Sequence, residues 1–150
     1  MKIDLSCLQQ EQDYSCVPAC IRIVLRYLGT DYSEAEICLA CQTTVRGTGH
    51  LEAMHGIVSL GFNAIKLKDI PLADLIRFVQ QERPIIVFLS VSHLPYGGDA
   101  GMHAVVINGS ESKFISYIDP ARGQEIELAI DTFMAAWDER GRLGLLIEKP

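Results

Sequence analysis

The residues best suited to chemistry in this 150-residue chain are a cysteine opening a helical pattern and a histidine and an aspartate on later strand-like runs. Cys16 precedes a stretch in which Val17, Cys20, Ile21, Val24, Leu25 and Leu28 recur at helical spacing while Arg22 and Arg26 face away. Cys16 stands one position off that apolar stripe. A thiol at a helix N-terminus meets the positive end of the helix dipole and unpaired N–H groups, which favour the nucleophilic thiolate. Cys20, on the stripe, is placed for packing. A nucleophilic cysteine needs a base and an acceptor to orient it. Of four histidines, His103 lies in the strand-like run Met102-His-Ala-Val-Val-Ile-Asn108, and Asp119 follows the run 114–118. With Asn108-Gly109-Ser110 read as turn residues and a hairpin centred on Glu111, Ile107 faces Ile115, Val105 faces Tyr117, and His103 faces Asp119. Facing Cβ atoms lie roughly 4.5–5.5 Å apart, so the carboxylate could hold the imidazole, and a one-residue slip would separate them. The orienting acceptor would otherwise come from Asp99 or a main-chain carbonyl. Acyl transfer also needs donors for an oxyanion: the Cys16 N–H is one, and Gln10, six residues upstream, is a second, with Gln9 and Gln12 as rivals.

These residues must be carried by a mixed scaffold. Helices are expected from Val17 to a stop at Gly29, from the capping box Ser33-x-x-Glu36 to Cys41, over 49–60, from Pro71 to Gln81, and after a cap at Asp131. Strands are expected over 62–67, 85–91, 102–107, 114–118, 125–128 and 143–147. A helical first part feeding a largely antiparallel sheet is an α+β layout, in one domain spanning residues 1–150.

Composition narrows the partners. A charge of −6 argues against a nucleic-acid binder, which needs a basic face for phosphates, and against docking on an anionic membrane. The longest apolar run, 85–89, is too short to span a bilayer, and Asp4 interrupts any signal-like start, so a cytoplasmic location without membrane insertion is expected. Five cysteines crowded into the first third suit reduced thiols better than a disulfide framework. Cys38-x-x-Cys41 lacks the second pair a zinc site needs, so neither metal nor cofactor is expected, and both cysteines read as packing residues. No role is assigned to Cys7. His93, in the loop Ser92-His-Leu-Pro-Tyr-Gly-Gly-Asp99, reads as a solvated loop histidine near a cleft. His50 and His55 read as structural, and Trp137 as core or a partly buried platform.

Gln10-x5-Cys16, the helix ending Leu25-Arg-Tyr-Leu-Gly29, Gly47-Thr-Gly, Leu60-Gly-Phe62, His103-Ala-Val-Val-Ile and Asp119-Pro-Ala-Arg-Gly123 together resemble the bacteriocin-processing cysteine peptidases, the double-glycine leader peptidases. The likeness covers most of the chain in order. It implies a papain-like fold with Cys16 as nucleophile, His103 as general base and acid, Asp119 as orienter and Gln10 as oxyanion donor, acting on a peptide or protein substrate. The chain departs from the family at the nucleophile, where Ser15-Cys16-Val17-Pro18 replaces the usual Asp-Cys-Gly. Family members are often the leading domain of a membrane exporter, which these residues do not include, so cleavage of a double-glycine leader is not implied. Free-standing relatives with the same triad include glutamine deamidases. The alternatives to a peptidase are therefore such an amidohydrolase or an inactive peptide-binding relative.

Overall fold

The computed structural model describes residues 1–97 and 101–150; Asp99 lies outside the described residues. Its elements are α1 (Cys16–Tyr27), α2 (Glu34–Ala40), α3 (His50–Ser59), β1 (Asn63–Leu67), α4 (Leu72–Gln80), β2 (Ile85–Ser90), a 3-10 turn (Val91–His93), β3 (Met102–Ser110), β4 (Phe114–Asp119), β5 (Gln124–Ala129), α5 (Ile130–Asp138) and β6 (Gly144–Glu148). The six strands form one sheet in the order β1-β6-β2-β3-β4-β5, with every neighbouring pair antiparallel. No helix among the described residues is long and apolar enough to cross a membrane.

Helices cover both faces of this sheet. On one face Ile21, Val24 and Leu25 of α1, Ile37 of α2 and Ile57 of α3 pack with Ile86, Phe88, Ala104, Val106 and Ile118. On the other, Leu75 and Val79 of α4 and Phe133 and Trp137 of α5 pack with Val87, Leu89, Val105, Ile107 and Tyr117. Alternate residues of β2 and β3 therefore enter different cores, which is why 85–89 reads as an unbroken apolar run rather than an alternating one. Trp137 is fully buried, its indole N–H donating to the Leu143 carbonyl at 3.0 Å. The Ser33–Glu36 capping box forms at the start of α2 with both reciprocal bonds. Asp131 does not cap α5. The helix begins at Ile130 after Ala129, and Asp131 lies in its first turn, where a carboxylate complements the dipole without a capping bond.

The β3–β4 register differs from the expected hairpin. Ile107 pairs with Tyr117 and Val106 with Ile118, two residues away from the expected partners, and the ladder shifts again between Ile107 and Gly109. Asn108-Gly109 is not a turn. The chain's first residues hold it in the strand: Lys2 bridges Gly109, and the Ile3 N–H donates to the Asn108 carbonyl at 2.6 Å. Asn108 Nδ2 donates to Glu125 at 2.6 Å, and a Cβ on Gly109 would stand 2.1 Å from Ser116 Oγ. The hairpin closes instead where the Glu111 N–H meets the Phe114 carbonyl. Because side chains alternate faces with a period of two, a two-residue shift preserves the face, and His103 and Asp119 become diagonal rather than directly opposed neighbours.

Helices α2 and α3 meet where Gly56 admits Cys41. A Cβ on Gly56 would lie 2.4 Å from Cys41 Sγ and 2.9 Å from its Cα. Gly56→Ala is therefore expected to lower stability by about 1–3 kcal/mol, the cost of overpacking a filled core. Urea denaturation checks it, and a midpoint equal to wild type would contradict this account of the contact.

Candidate active site

Cys16 is the first residue of α1 and is half-buried. The helix starts without a side-chain cap, since Ser15 makes no capping bond. The Cys16 thiol faces the His103 ring, with the N–H groups of Val17 in the first turn and Ala104 on β3 close by. Burial pushes this thiol up, but the His103 bond, the two N–H groups and the imidazole charge outweigh it and bring Cys16 below the ordinary thiol value. The other cysteines with shifts go the opposite way. Burial pushes Cys20 well up, Cys38 up, and Cys41 to about 11.

His103 Nε2 lies 2.5 Å from Asp119 Oδ1. Asp119 is fully buried, and the same oxygen accepts the Ala121 N–H at 2.9 Å. With Nε2 engaged by the carboxylate, Nδ1 is the ring nitrogen left for Cys16. Burial disfavours the imidazolium, but the bonds to Asp119 and Cys16 raise His103 to about 9. Burial likewise pushes Asp119 up, and the His103 bond and charge reverse this, leaving it below the usual carboxylate range. Asp119 Oδ2 is buried without a hydrogen-bond partner, and nearby the Tyr96 hydroxyl bonds the Tyr117 hydroxyl. Next to this pair is a pocket of about 210 Å3, walled by Val91, Leu94, Tyr96 and Gly97, with the Arg122 guanidinium 4.4 Å above the Tyr96 ring.

Gln10 is tied to the same corner, its N–H donating to the Pro120 carbonyl at 2.8 Å. Its side-chain amide turns back on its own loop, Nε2 donating to the Gln12 carbonyl at 2.7 Å, while Oε1 is buried and unpartnered. Gln9 and Gln12 are exposed. His93 is exposed, as expected of a loop histidine, and lies 2.9 Å from Glu139 at the end of α5. His50 stacks against Phe88 with ring centroids 4.5 Å apart, and burial lowers its pKa. His55 and Cys7 are exposed. Among the described residues no group of three or more His, Cys, Asp or Glu is placed to hold a metal.

Sequence reasoning missed two neighbours of the site. Tyr96 sits in a loop rich in turn residues, with no periodicity to single it out. Glu34 is 2% exposed behind Ser15, accepting the Ser15 hydroxyl at 2.9 Å and the Glu11 N–H at 2.8 Å. In sequence it is simply an acid in the first turn of a helix, where the dipole already accounts for it.

Among curated proteins none matches the chain. In fold it is similar to the peptidase domain of Streptococcus ComA, a bifunctional ABC transporter of a quorum-sensing pathway, with TM-score 0.80 at 22% identity over 99% of each chain. It is also similar to a C39-like peptidase from Bacillus anthracis, with TM-score 0.76 at 15% identity over 95% of this chain and 94% of that one. A double-glycine-motif protease from an AMS/PCAT transporter, solved with its leader peptide, gives TM-score 0.74 at 17% identity over 99% of this chain and 94% of that one. These likenesses establish a papain-like α+β fold. The family model for the Peptidase C39 family matches residues 4–148, nearly the whole chain, and the chain belongs to that family.

Proposed function

We propose that this chain is a thiol peptidase that cleaves peptide bonds through Cys16, His103 and Asp119 by way of an acyl-enzyme. The observation that carries this reading is the His103 ring bonded to a fully buried carboxylate and facing a thiol at a helix start. The Cys16 thiolate attacks the scissile carbonyl. The proton on His103 Nδ1 passes to the leaving amine, and the same nitrogen then takes a proton from the water that hydrolyses the thioester. Asp119 holds Nε2–H and so fixes the tautomer. The oxyanion is met by the Cys16 N–H and by the Gln10 amide, whose second N–H is free to turn outward. A peptide is the substrate class, in keeping with the leader peptide bound by the AMS/PCAT protease. The reactive thiol suits the reducing cytoplasm.

The pKa shifts fix the signs of the pH dependence. The thiolate–imidazolium pair exists between the lowered Cys16 pKa and the His103 value of about 9. Alkylation of Cys16 by iodoacetamide should therefore be faster at neutral pH than that of exposed Cys7, and kcat/KM should fall as pH rises through about 9. His103→Ala removes the main force lowering the thiol while burial remains, so the onset of Cys16 alkylation moves to higher pH. Mass spectrometry of the Cys16 and Cys7 peptides across pH checks this, and equal rates at the two cysteines would sink the nucleophile assignment.

Cys16→Ala and His103→Ala should abolish turnover of a cleaved peptide. Asp119→Asn should retain the fold and lose roughly tenfold to a hundredfold in kcat, a barrier change of about 1.4–2.7 kcal/mol, because an amide can hold the ring but also favours the wrong tautomer. Full activity in Asp119→Ala would place the orienting acceptor elsewhere. Products showing only a one-dalton gain at glutamine, without backbone cleavage, would replace peptidase by deamidase.

A further inference from the structure

Behind the nucleophile lies a buried carboxylate that the mechanism above does not use. Glu34, the first residue of α2, is 2% exposed, and among the described residues it has no cation within ion-pair distance. Arg22, the nearby cation, is engaged with Glu11 at 3.7 Å and Asp31 at 3.4 Å. Burial accordingly raises the Glu34 pKa, with Glu11 adding to the rise and Arg22 opposing it. A buried carboxylate without a cation costs stability, so its contacts must account for its presence. Those contacts are the Glu11 N–H and the Ser15 hydroxyl, both in the segment joining Gln10 to Cys16.

Ser15 is the residue that would ordinarily cap α1. A capping serine is extended and accepts the N–H of the second or third helical residue. Here Ser15 is at φ −107° and ψ 29°, and its side chain makes no such bond. Its oxygen accepts the Gln12 N–H at 3.0 Å, and its single proton is shared between Glu34 Oε2 and the Gln12 carbonyl, each at 2.9 Å; an ionised carboxylate is the stronger acceptor. The third residue of α1 is Pro18, which has no N–H to offer a cap. Val17 is thus the one first-turn donor open to Ser15, and that same uncapped N–H stands at the helix start next to Cys16. A cap and a stabilised thiolate compete for one hydrogen.

We propose that Glu34 is a positioning residue of the active site: by taking the Ser15 hydroxyl and the Glu11 N–H it holds Ser15 out of the capping conformation and leaves the Val17 N–H to the Cys16 sulfur. The inference rests on Cys16 being the nucleophile. It also gives the departure at Ser15 a physical partner, since the carboxylate arrives from α2 and not from the residue before the cysteine.

The test reads Cys16 itself, with iodoacetamide as the probe and the whole chain as the protein, so it does not depend on knowing the substrate. The alkylation rate is followed from pH 5 to 10 by mass spectrometry of the Cys16 peptide, alongside thermal unfolding. The groups that bear on this profile are His103, Asp119 and Cys20 around Cys16, and Glu11, Arg22 and Cys38 around Glu34; all are unchanged in the variants. Glu34→Leu removes the acceptor and frees Ser15 to cap. Its half-maximal pH is expected to rise by about one unit, so that alkylation below neutrality slows about tenfold, while the melting temperature does not fall. In Ser15→Ala/Glu34→Leu no hydroxyl remains to cap, and the profile is expected to return to that of Ser15→Ala alone. Should Glu34→Leu fail to fold, Glu34→Gln keeps an uncharged acceptor and is expected to shift the profile in the same direction by less. An unshifted profile in the folded variant, or a double variant as slow as Glu34→Leu, overturns the proposal. Slow alkylation of Cys16 in the wild type overturns the nucleophile reading beneath it, whereas fast alkylation in wild type and Glu34→Leu alike overturns this inference only.

Discussion

The site depends on one buried charge finding its partner. Asp119 sits fully out of water, and an isolated carboxylate there would take up a proton rather than remain ionised. It stays ionised because His103 and the Ala121 N–H meet the same oxygen, and the imidazole in turn gains a proton it would otherwise lose on burial. Each group stabilises the charge of the other. Removing either leaves an uncompensated group, which for a buried pair costs about 3–5 kcal/mol. The pair therefore requires two strands that do not slide. β3 and β4 meet this by lying inside the sheet, flanked by β2 and β5, with cores on both faces.

Cys16 comes from a different layer. It reaches His103 only because α1 lies across the sheet face at β3, with Ala104 beneath the helix start. A small, buried side chain at 104 lets α1 lie close on β3, and a bulkier one would lift the helix from the strand. The site is thus assembled across the layer boundary: the thiol belongs to the helices and the imidazole to the sheet. Packing of Ile21, Val24 and Leu25 against Ile86, Val106 and Ile118 sets the sulfur-to-ring geometry as firmly as the residues that touch the sulfur.

Periodicity made much of this legible. The α1 stripe, the Ser33–Glu36 box and the apolar runs of β2 and β3 follow from local rules and appear where those rules put them. The β3–β4 register was not local. Asn-Gly is among the strongest turn signals, yet here Lys2, Ile3 and Glu125, distant in sequence, keep Asn108 and Gly109 in the ladder. The His103–Asp119 contact is compatible with either register because the two differ by an even number of residues. An odd slip would have sent the two side chains to opposite faces, so the pattern of alternation carried more reliable information than the turn did. Gln10 shows the opposite limit: its spacing brought it to the corner beside Pro120, but spacing says nothing of an amide that folds back onto Gln12.

Two carboxylates are buried on either side of Cys16, Asp119 at the sheet end and Glu34 at the start of α2. An apolar residue of similar size at position 34 would avoid the desolvation cost of a charge that has no cation. Proteins commonly carry such costs where chemistry needs a geometry that stability alone would not select. A well-capped α1 would be the more stable helix, because Ser15 is suited to cap it and the Val17 N–H is there to be capped. That helix would also have a quieter thiol. The uncapped start, held open by Glu34 from α2, exchanges helix stability for a free N–H beside the thiol, and it ties the start of α2 to the reactivity proposed for Cys16.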